Sequence, residues 1–325
     1  MGYENLKKYQ KNVVRLLQNS YRKNRLVHTY LFAGNKGSLK KEAAYYLASL
    51  ILCHEGGRCE GCQLCGTYTD KPNPYIFFIA PEGDSIKKEQ IMQLEHEFSM
   101  ASSNKRIFII EHIDKASPAS ANSLLKFLED AQEDCYGILL TENVNLVLPT
   151  IISRSQVVKF LPLDRKNIET ELKELGFSAS LSTIVSLLTN DIEEATRIAR
   201  DPLTLDTLEL VKEIGMSFEN EDQDSILLFA TKGRFLTNEA SKTHYQYFVD
   251  GLIALQNDKI KHILHNDSEL VYFDLLSTAF IRIPLAKQLK ILEIMMEIKG
   301  KMRYNVNIEL ALMNMLVEIM RCING

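Results

Sequence analysis

The run Thr29-Tyr30-Leu31-Phe32-Ala33 stops at Gly34, and the next residues read Gly34-Asn35-Lys36-Gly37-Ser38-Leu39-Lys40-Lys41. A short buried strand emptying into a glycine-bearing loop and then a helix is the frame of a phosphate-binding P-loop, G-x-x-x-x-G-K-[ST]. That frame belongs to parallel α/β sheets and narrows the choice of fold more than any other segment. Gly34, Gly37 and Lys40 are kept. Leu39 stands where the second glycine lets the backbone close on phosphate, and Lys41 stands where a hydroxyl would hold Mg²⁺. Leu39 adds bulk, and Lys41 puts positive charge at the metal position. The loop keeps the outline of a nucleotide site without the groups that turnover needs, so ATP binding is not expected.

Further strands support the same sheet. Apolar runs at 75–80, 106–110, 136–141 and 156–160 alternate with helical patterns at 40–52, 86–100 (with Ser85 as its cap) and 117–130. Continuously apolar strands, each followed by a helix, predict a parallel sheet covered on both faces. Ahead of them, Leu6, Tyr9, Val13, Leu16 and Leu17 predict one amphipathic helix over 5–24. Leu161-Pro162-Leu163 closes this first domain, residues 1–163. Strand signals then stop. Residues 164–205 predict a small helical unit ending near Asp201-Pro202, and 206–325 a longer helical one, Met-rich over 287–299 and apolar over 308–322. The fold class is α/β followed by all-α.

Four of the six cysteines, Cys53, Cys59, Cys62 and Cys65, follow the P-loop helix as C-x5-C-x2-C-x2-C among Gly56, Gly57, Gly61 and Gly66. A tight glycine-rich loop can wrap four thiolates round one Zn²⁺ ion, leaving no position for a catalytic water, so such a site is structural. An iron–sulfur cluster is the rival, although the usual following Cys-Pro is absent. Four reduced, unligated thiols are the plain alternative. The isolated Cys135 and Cys322 read as small buried hydrophobes. The net charge of −4 gives no global field toward nucleic acid or membrane. No signal peptide or membrane-spanning run is legible, and the chain is expected in the cytoplasm.

Three polar segments fall at strand ends. Glu111-His112-Ile113-Asp114 follows the third strand, where P-loop ATPases carry an acidic pair. Glu111 suits the metal-holding role, although it is one methylene too long, His112 substitutes poorly for the second acid and Asp114 sits two residues too late, while the plain alternative is an acidic strand end facing solvent. Thr141-Glu142-Asn143 follows the fourth strand and either faces the ligand crevice or forms a turn. Ser153-Arg154-Ser155 precedes the fifth strand, and the usual fate of such an arginine is a surface ion pair.

The order of these segments carries a resemblance over nearly the whole chain. Its marks are His28–Gly34, the four cysteines, Arg106–Lys115, Ala121–Glu129, Leu148–Ser155 and Tyr304-Asn305-Val306-Asn307-Ile308-Glu309-Leu310. Together they resemble the delta-prime subunits of the bacterial DNA polymerase III clamp loader, in the AAA+ family. The resemblance implies an AAA+ core with an inserted zinc module (53–65), a helical lid (164–205) and a C-terminal collar domain (206–325). It also implies a hetero-pentamer with the tau/gamma ATPase and delta subunits that loads a sliding clamp on primer–template DNA. Arg154 would then be an arginine finger acting in trans on the neighbouring ATPase. The chain itself would have no activity, as a component of the DNA polymerase III holoenzyme. The alternative is an active tau/gamma-like ATPase with an unusual P-loop. Glu193 stands where that ATPase's lid arginine would be, which favours delta-prime. Ser155, Asn73-Pro74-Tyr75 and Glu129-Asp130-Ala131 depart from the usual Ser-Arg-Cys, His-Pro-Asp and Glu-Glu-Pro.

Overall fold

The computed structural model describes residues 3–53, 73–99, 105–130, 134–220, 224–237, 242–265, 282–302 and 307–324. Two compact units, Met1–Leu163 and Asp164–Gly325, make up the chain.

The first unit opens with α1 (Glu4–Tyr9) and α2 (Lys11–Arg22), then β1 (Thr29–Ala33) and α3 (Lys40–Leu52). It continues through β2 (Ile76–Ile79), α4 (Lys88–Ser99), β3 (Arg106–Ile110), α5 (Pro118–Glu129), β4 (Cys135–Thr141), α6 (Pro149–Ser153) and β5 (Gln156–Lys159). The five strands pair in the order β2-β3-β4-β1-β5, all in parallel. Every residue of β1 is buried, as are Ile107 to Ile110 of β3, which explains their unbroken apolar runs. Ser117 starts α5 by accepting the Ser120 N–H, with Pro118 in the first turn where a missing N–H costs nothing. Cys135 is buried in β4, and burial pushes its thiol up to about 12, so it stays protonated as a core side chain.

Two sequence expectations change. The single helix over 5–24 is two helices, broken at Gln10, whose backbone leaves the helical region (φ −117°, ψ 46°). The helix expected at 86–100 begins at Lys88. Ser85 does not cap it; its carbonyl accepts the Glu82 N–H in an isolated bridge, and Gln90 Oε1 takes the Lys87 N–H at 2.9 Å.

The second unit is helical: α7 (Arg165–Glu174), α8 (Ala179–Leu188), α9 (Ile192–Arg200), α10 (Pro202–Ser217), α11 (Ser225–Lys232), α12 (Lys242–His265), α13 (Leu285–Lys301) and α14 (Ile308–Asn324). Ser178, Asp191, Asp201 and Asp224 each accept backbone N–H groups at the start of the helix that follows. One apolar cluster runs from Ile184 through Val211 and Phe248 to Ile291, Met295 and Leu316. Gly215 on α10 lets α12 approach closely, since a Cβ there would lie 1.9 Å from Leu255 Cδ2. Around it sits a buried polar network. Lys259 Nζ donates to Gly215 O (2.9 Å) and Glu219 Oε1 (3.0 Å). Glu219 also accepts from the Arg282 and Ile283 N–H groups and from Gln288 Nε2. Burial alone would raise the Glu219 carboxyl, but the Lys259 charge and these donors outweigh it and hold the group below the usual carboxylate range.

Candidate functional site

The carboxyl ends of β1, β3 and β4 lie side by side, and that is where the polar segments of the first unit gather. Beyond β1 a loop carrying Gly34 and Gly37 leads into Lys40 at the start of α3. Gly37 has φ +75°, and Leu39 itself takes the left-handed conformation (φ 66°, ψ 27°). Such a backbone costs a non-glycine residue roughly 1–2 kcal/mol. The Leu39 side chain is buried, so its bulk lies inside the protein rather than in the mouth of the loop. Gly34 cannot be larger, because a Cβ would meet Phe160 Cβ and O at 2.8 Å.

Lys40 folds back on the loop, donating to Gly34 O (2.5 Å) and Asn35 O (2.7 Å). Burial lowers its pKa, opposed by the nearby carboxylates of Glu142, Asp114, Glu42 and Glu111. Lys41 reaches across to β3 and pairs with Glu111 at 3.3 Å, its ammonium also lying 4.8 Å from the centre of the Phe78 ring. The Lys41 ammonium and the Glu111 carboxylate are therefore paired with each other across the end of the sheet.

By spacing alone Asp114 sits two residues too late for the second acid of a pair. The left-handed turn at His112 (φ 54°) leads into a short 3₁₀ turn, Ile113–Lys115. That turn brings Asp114 Oδ1 within 2.8 Å of Thr141 Oγ1, which donates to it. Thr141 Oγ1 in turn accepts the Asn143 N–H, and Thr141 O accepts the Gly34 N–H at 3.2 Å. Thr141 thus ties the end of β4 to both the P-loop and the segment after β3.

Gln10 completes the support. Buried, it donates from Nε2 to Ser38 O (3.1 Å) and Leu161 O (2.7 Å), stapling the loop to the chain beyond β5. The available signal was a polar residue on the apolar face of α1 and α2, four after Leu6 and three before Val13.

Arg154 follows the short helix α6 and is exposed. It donates to Glu129 Oε1 at 2.6 Å and to Thr150 O at 3.4 Å. Glu193 lies exposed in the first turn of α9. Of the four clustered cysteines only Cys53 lies within the described residues. It is buried at the end of α3, with extended backbone (φ −79°, ψ 126°). Cys59, Cys62 and Cys65 lie outside the described residues, as does most of the Tyr304–Asn307 segment. Among the described residues no group of His, Cys, Asp and Glu is arranged to hold a metal, and no helix is long and apolar enough to cross a membrane.

This is a P-loop-type sheet unit joined to a helical unit. A gamma-subunit-related protein of DNA polymerase III from Thermotoga maritima shares the fold, with a TM-score of 0.52 at 19% identity, covering 94% of this chain and 99% of that one. The family described as "DNA polymerase III, delta subunit" matches residues 9–164. Over 317 residues the chain is 32% identical to DNA polymerase III subunit delta′ of Bacillus subtilis, covering 95% of each protein. It is 26% identical over 200 residues to that organism's subunit tau, covering 60% of this chain and 36% of tau. The chain belongs to the delta-prime family of DNA polymerase III subunits.

Proposed function

We propose that this chain is the non-hydrolysing delta-prime subunit of a bacterial clamp loader. In this reading it serves in the cytoplasm beside tau/gamma ATPase and delta subunits in a hetero-pentamer. That assembly opens a sliding clamp and loads it on primer–template DNA. Residues 164–205 act as the lid and 206–325 as the collar that joins the ring.

The Lys41–Glu111 pair is the observation that carries the absence of turnover. A hydroxyl at the Lys41 position would give Mg²⁺ an oxygen. An ammonium has three donors and no lone pair, so it cannot ligate a cation. It also neutralises the carboxylate that would be the other ligand. Lys40 alone could attract phosphate, but an ammonium, Lys41, stands where a hydroxyl would help hold the metal that neutralises the transferring group.

Arg154 is the group offered outward. Its guanidinium is accessible, and its planar fork suits phosphate oxygens as well as the Glu129 carboxylate it meets here. On joining the ring it exchanges Glu129 for the neighbour's γ-phosphate. A structural Zn²⁺ held by Cys53, Cys59, Cys62 and Cys65 completes the account, with the metal ordering the loop and supplying no chemistry. Cys53, buried where α3 ends, would be the first ligand of that set. Replacing Cys62 with serine should release one zinc per chain, read by elemental analysis; iron, or no metal in the parent protein, contradicts the assignment.

The deciding experiment is a ring reconstituted with Arg154→Ala. Assembly and zinc content should be unchanged, while ATP hydrolysis with clamp and primed DNA should fall. A donated arginine contributes as much as about 10³–10⁵ in rate at one site. The whole ring should lose less, since its other sites keep their own arginines, and Arg154→Lys should rescue poorly. Unchanged hydrolysis would reduce Arg154 to a surface charge.

A further inference from the structure

The net charge of −4 conceals a strong local asymmetry at the start of the chain. Between Tyr3 and His28 stand seven lysines and arginines against one acid, Glu4. Helix α2 buries Val13, Val14 and Leu17 and turns its other side to solvent, where Lys11, Arg15, Arg22 and Lys23 are all exposed. At 100° per residue Lys11, Arg15 and Arg22 fall on one stripe, about 16 Å long at 1.5 Å per residue. None of Lys11, Arg15, Arg22 and Lys23 forms an ion pair among the described residues, although the same chain pairs lysines elsewhere at Glu82, Glu111, Glu169 and Glu213.

The end of the helix adds to the stripe. Asn24 takes the left-handed conformation (φ 49°), the Arg25 N–H bonds Ser20 O at 2.8 Å and the Asn24 N–H bonds Tyr21 O at 3.0 Å. This paired closure of a helix C-terminus turns the chain back on itself. It sets Arg25 beside Arg15 and Lys23 in a shallow cleft of about 410 Å³, which Asn12, Asn19, Ser20 and the apolar Leu16 also line. Three cations with neutral hydrogen-bonding side chains between them are the composition that meets phosphate oxygens and carries no base reading. An anion at a helix C-terminus is opposed by the helix dipole. The side chains, rather than the backbone, must therefore supply the attraction.

We propose that the exposed face of α2, with Arg15 on the helix and Lys23 and Arg25 at its C-terminal end, binds the phosphodiester backbone of DNA without sequence preference. A stripe of about 16 Å runs beside about nine duplex charges, at one per 1.7 Å. The extended array of cations suits a polyanion better than a single small anion. The proposal uses none of the P-loop side chains or Arg154 and does not depend on how either is read.

The test is fluorescence anisotropy of the full chain with a labelled 25-base-pair duplex at several salt concentrations. The parent protein should bind at low salt. Replacing Arg15, Lys23 and Arg25 together by alanine should weaken binding at least about tenfold. It should also make the salt dependence shallower by up to about 2.7, at 0.9 per phosphate contact. A control carrying Lys166→Ala, Lys261→Ala and Lys290→Ala changes net charge equally at exposed positions of other helices, and should bind as the parent does. Far-ultraviolet circular dichroism should find all three proteins equally folded. No binding by the parent, unchanged binding by the α2 variant, or an equal loss in the control would each overturn the proposal.

Discussion

Two lysine–glutamate pairs in this molecule use the same chemistry for opposite ends. Lys259 and Glu219 are almost wholly buried in the helical unit, 1% and 2% exposed, and every partner they need is supplied by α10, α13 and the turn before α13. Lys41 and Glu111 are 49% and 26% exposed at the edge of the crevice. In the first pair, removing one member strands a charge where water cannot reach it. In the second, water takes the place of the lost partner at little cost. Burial therefore decides the energetics: the inner pair ties α10, α12 and α13 together, and the outer pair adds little to stability.

Substitutions should separate the two. Lys259→Met leaves Glu219 charged, buried and without its counter-ion. Urea unfolding should show a loss of about 3–5 kcal/mol, the range for breaking a buried pair. Replacing both, as Lys259→Met with Glu219→Gln, should recover part of it. Recovery of nothing would mean that the hydrogen bonds, not the charges, hold the helices. The pH dependence follows from the sign of the Glu219 shift. A carboxyl lowered in the folded state contributes stability that is present above the ordinary carboxylate range and lost as pH falls through the lowered value. In Lys259→Met the lowering charge is gone, so the gap between parent and variant should narrow toward acid.

Gly215→Ala, beside the same network, should cost about 1–3 kcal/mol through overpacking against Leu255. A smaller loss would show that the α10–α12 contact relaxes. Lys41→Ala should change stability by less than about 1 kcal/mol, as expected of an exposed pair. A loss like that of Lys259→Met would erase the distinction. The sharper variant is Lys41→Thr with Leu39→Gly. It returns a hydroxyl beside Glu111 and a glycine at a left-handed position, and should gain Mg²⁺-dependent affinity for ATP.

How much of this could be read in advance depends on the reach of each interaction. The strands at 29–33 and 106–110 were legible to the residue, because both faces are buried and local composition records it. The boundary after Leu163 was legible from Leu161-Pro162-Leu163. The break at Gln10 was not, since its partners are Ser38 and Leu161, far along the chain. Asp114 looked misplaced because the turn at His112, which carries it to Thr141, leaves no periodic mark. Ile291 and Met295 proved to be core, whereas Leu289 and Met296 on the same helix are exposed at 49% and 54%. An apolar pattern this dense does not say which side is covered. Lys259, in the sequence Asp258-Lys259-Ile260-Lys261, is indistinguishable from a surface lysine until Glu219 is placed beside it.

The central claim is that Lys41 has taken the place of the metal. Isothermal titration of Mg-ATP into the purified chain tests it most directly, with phosphate release followed in the same sample. The account predicts no micromolar-range affinity, the level that corresponds to about −8 kcal/mol, and no phosphate released. Tight Mg²⁺-dependent binding with turnover would contradict it and establish an active ATPase with an unusual P-loop.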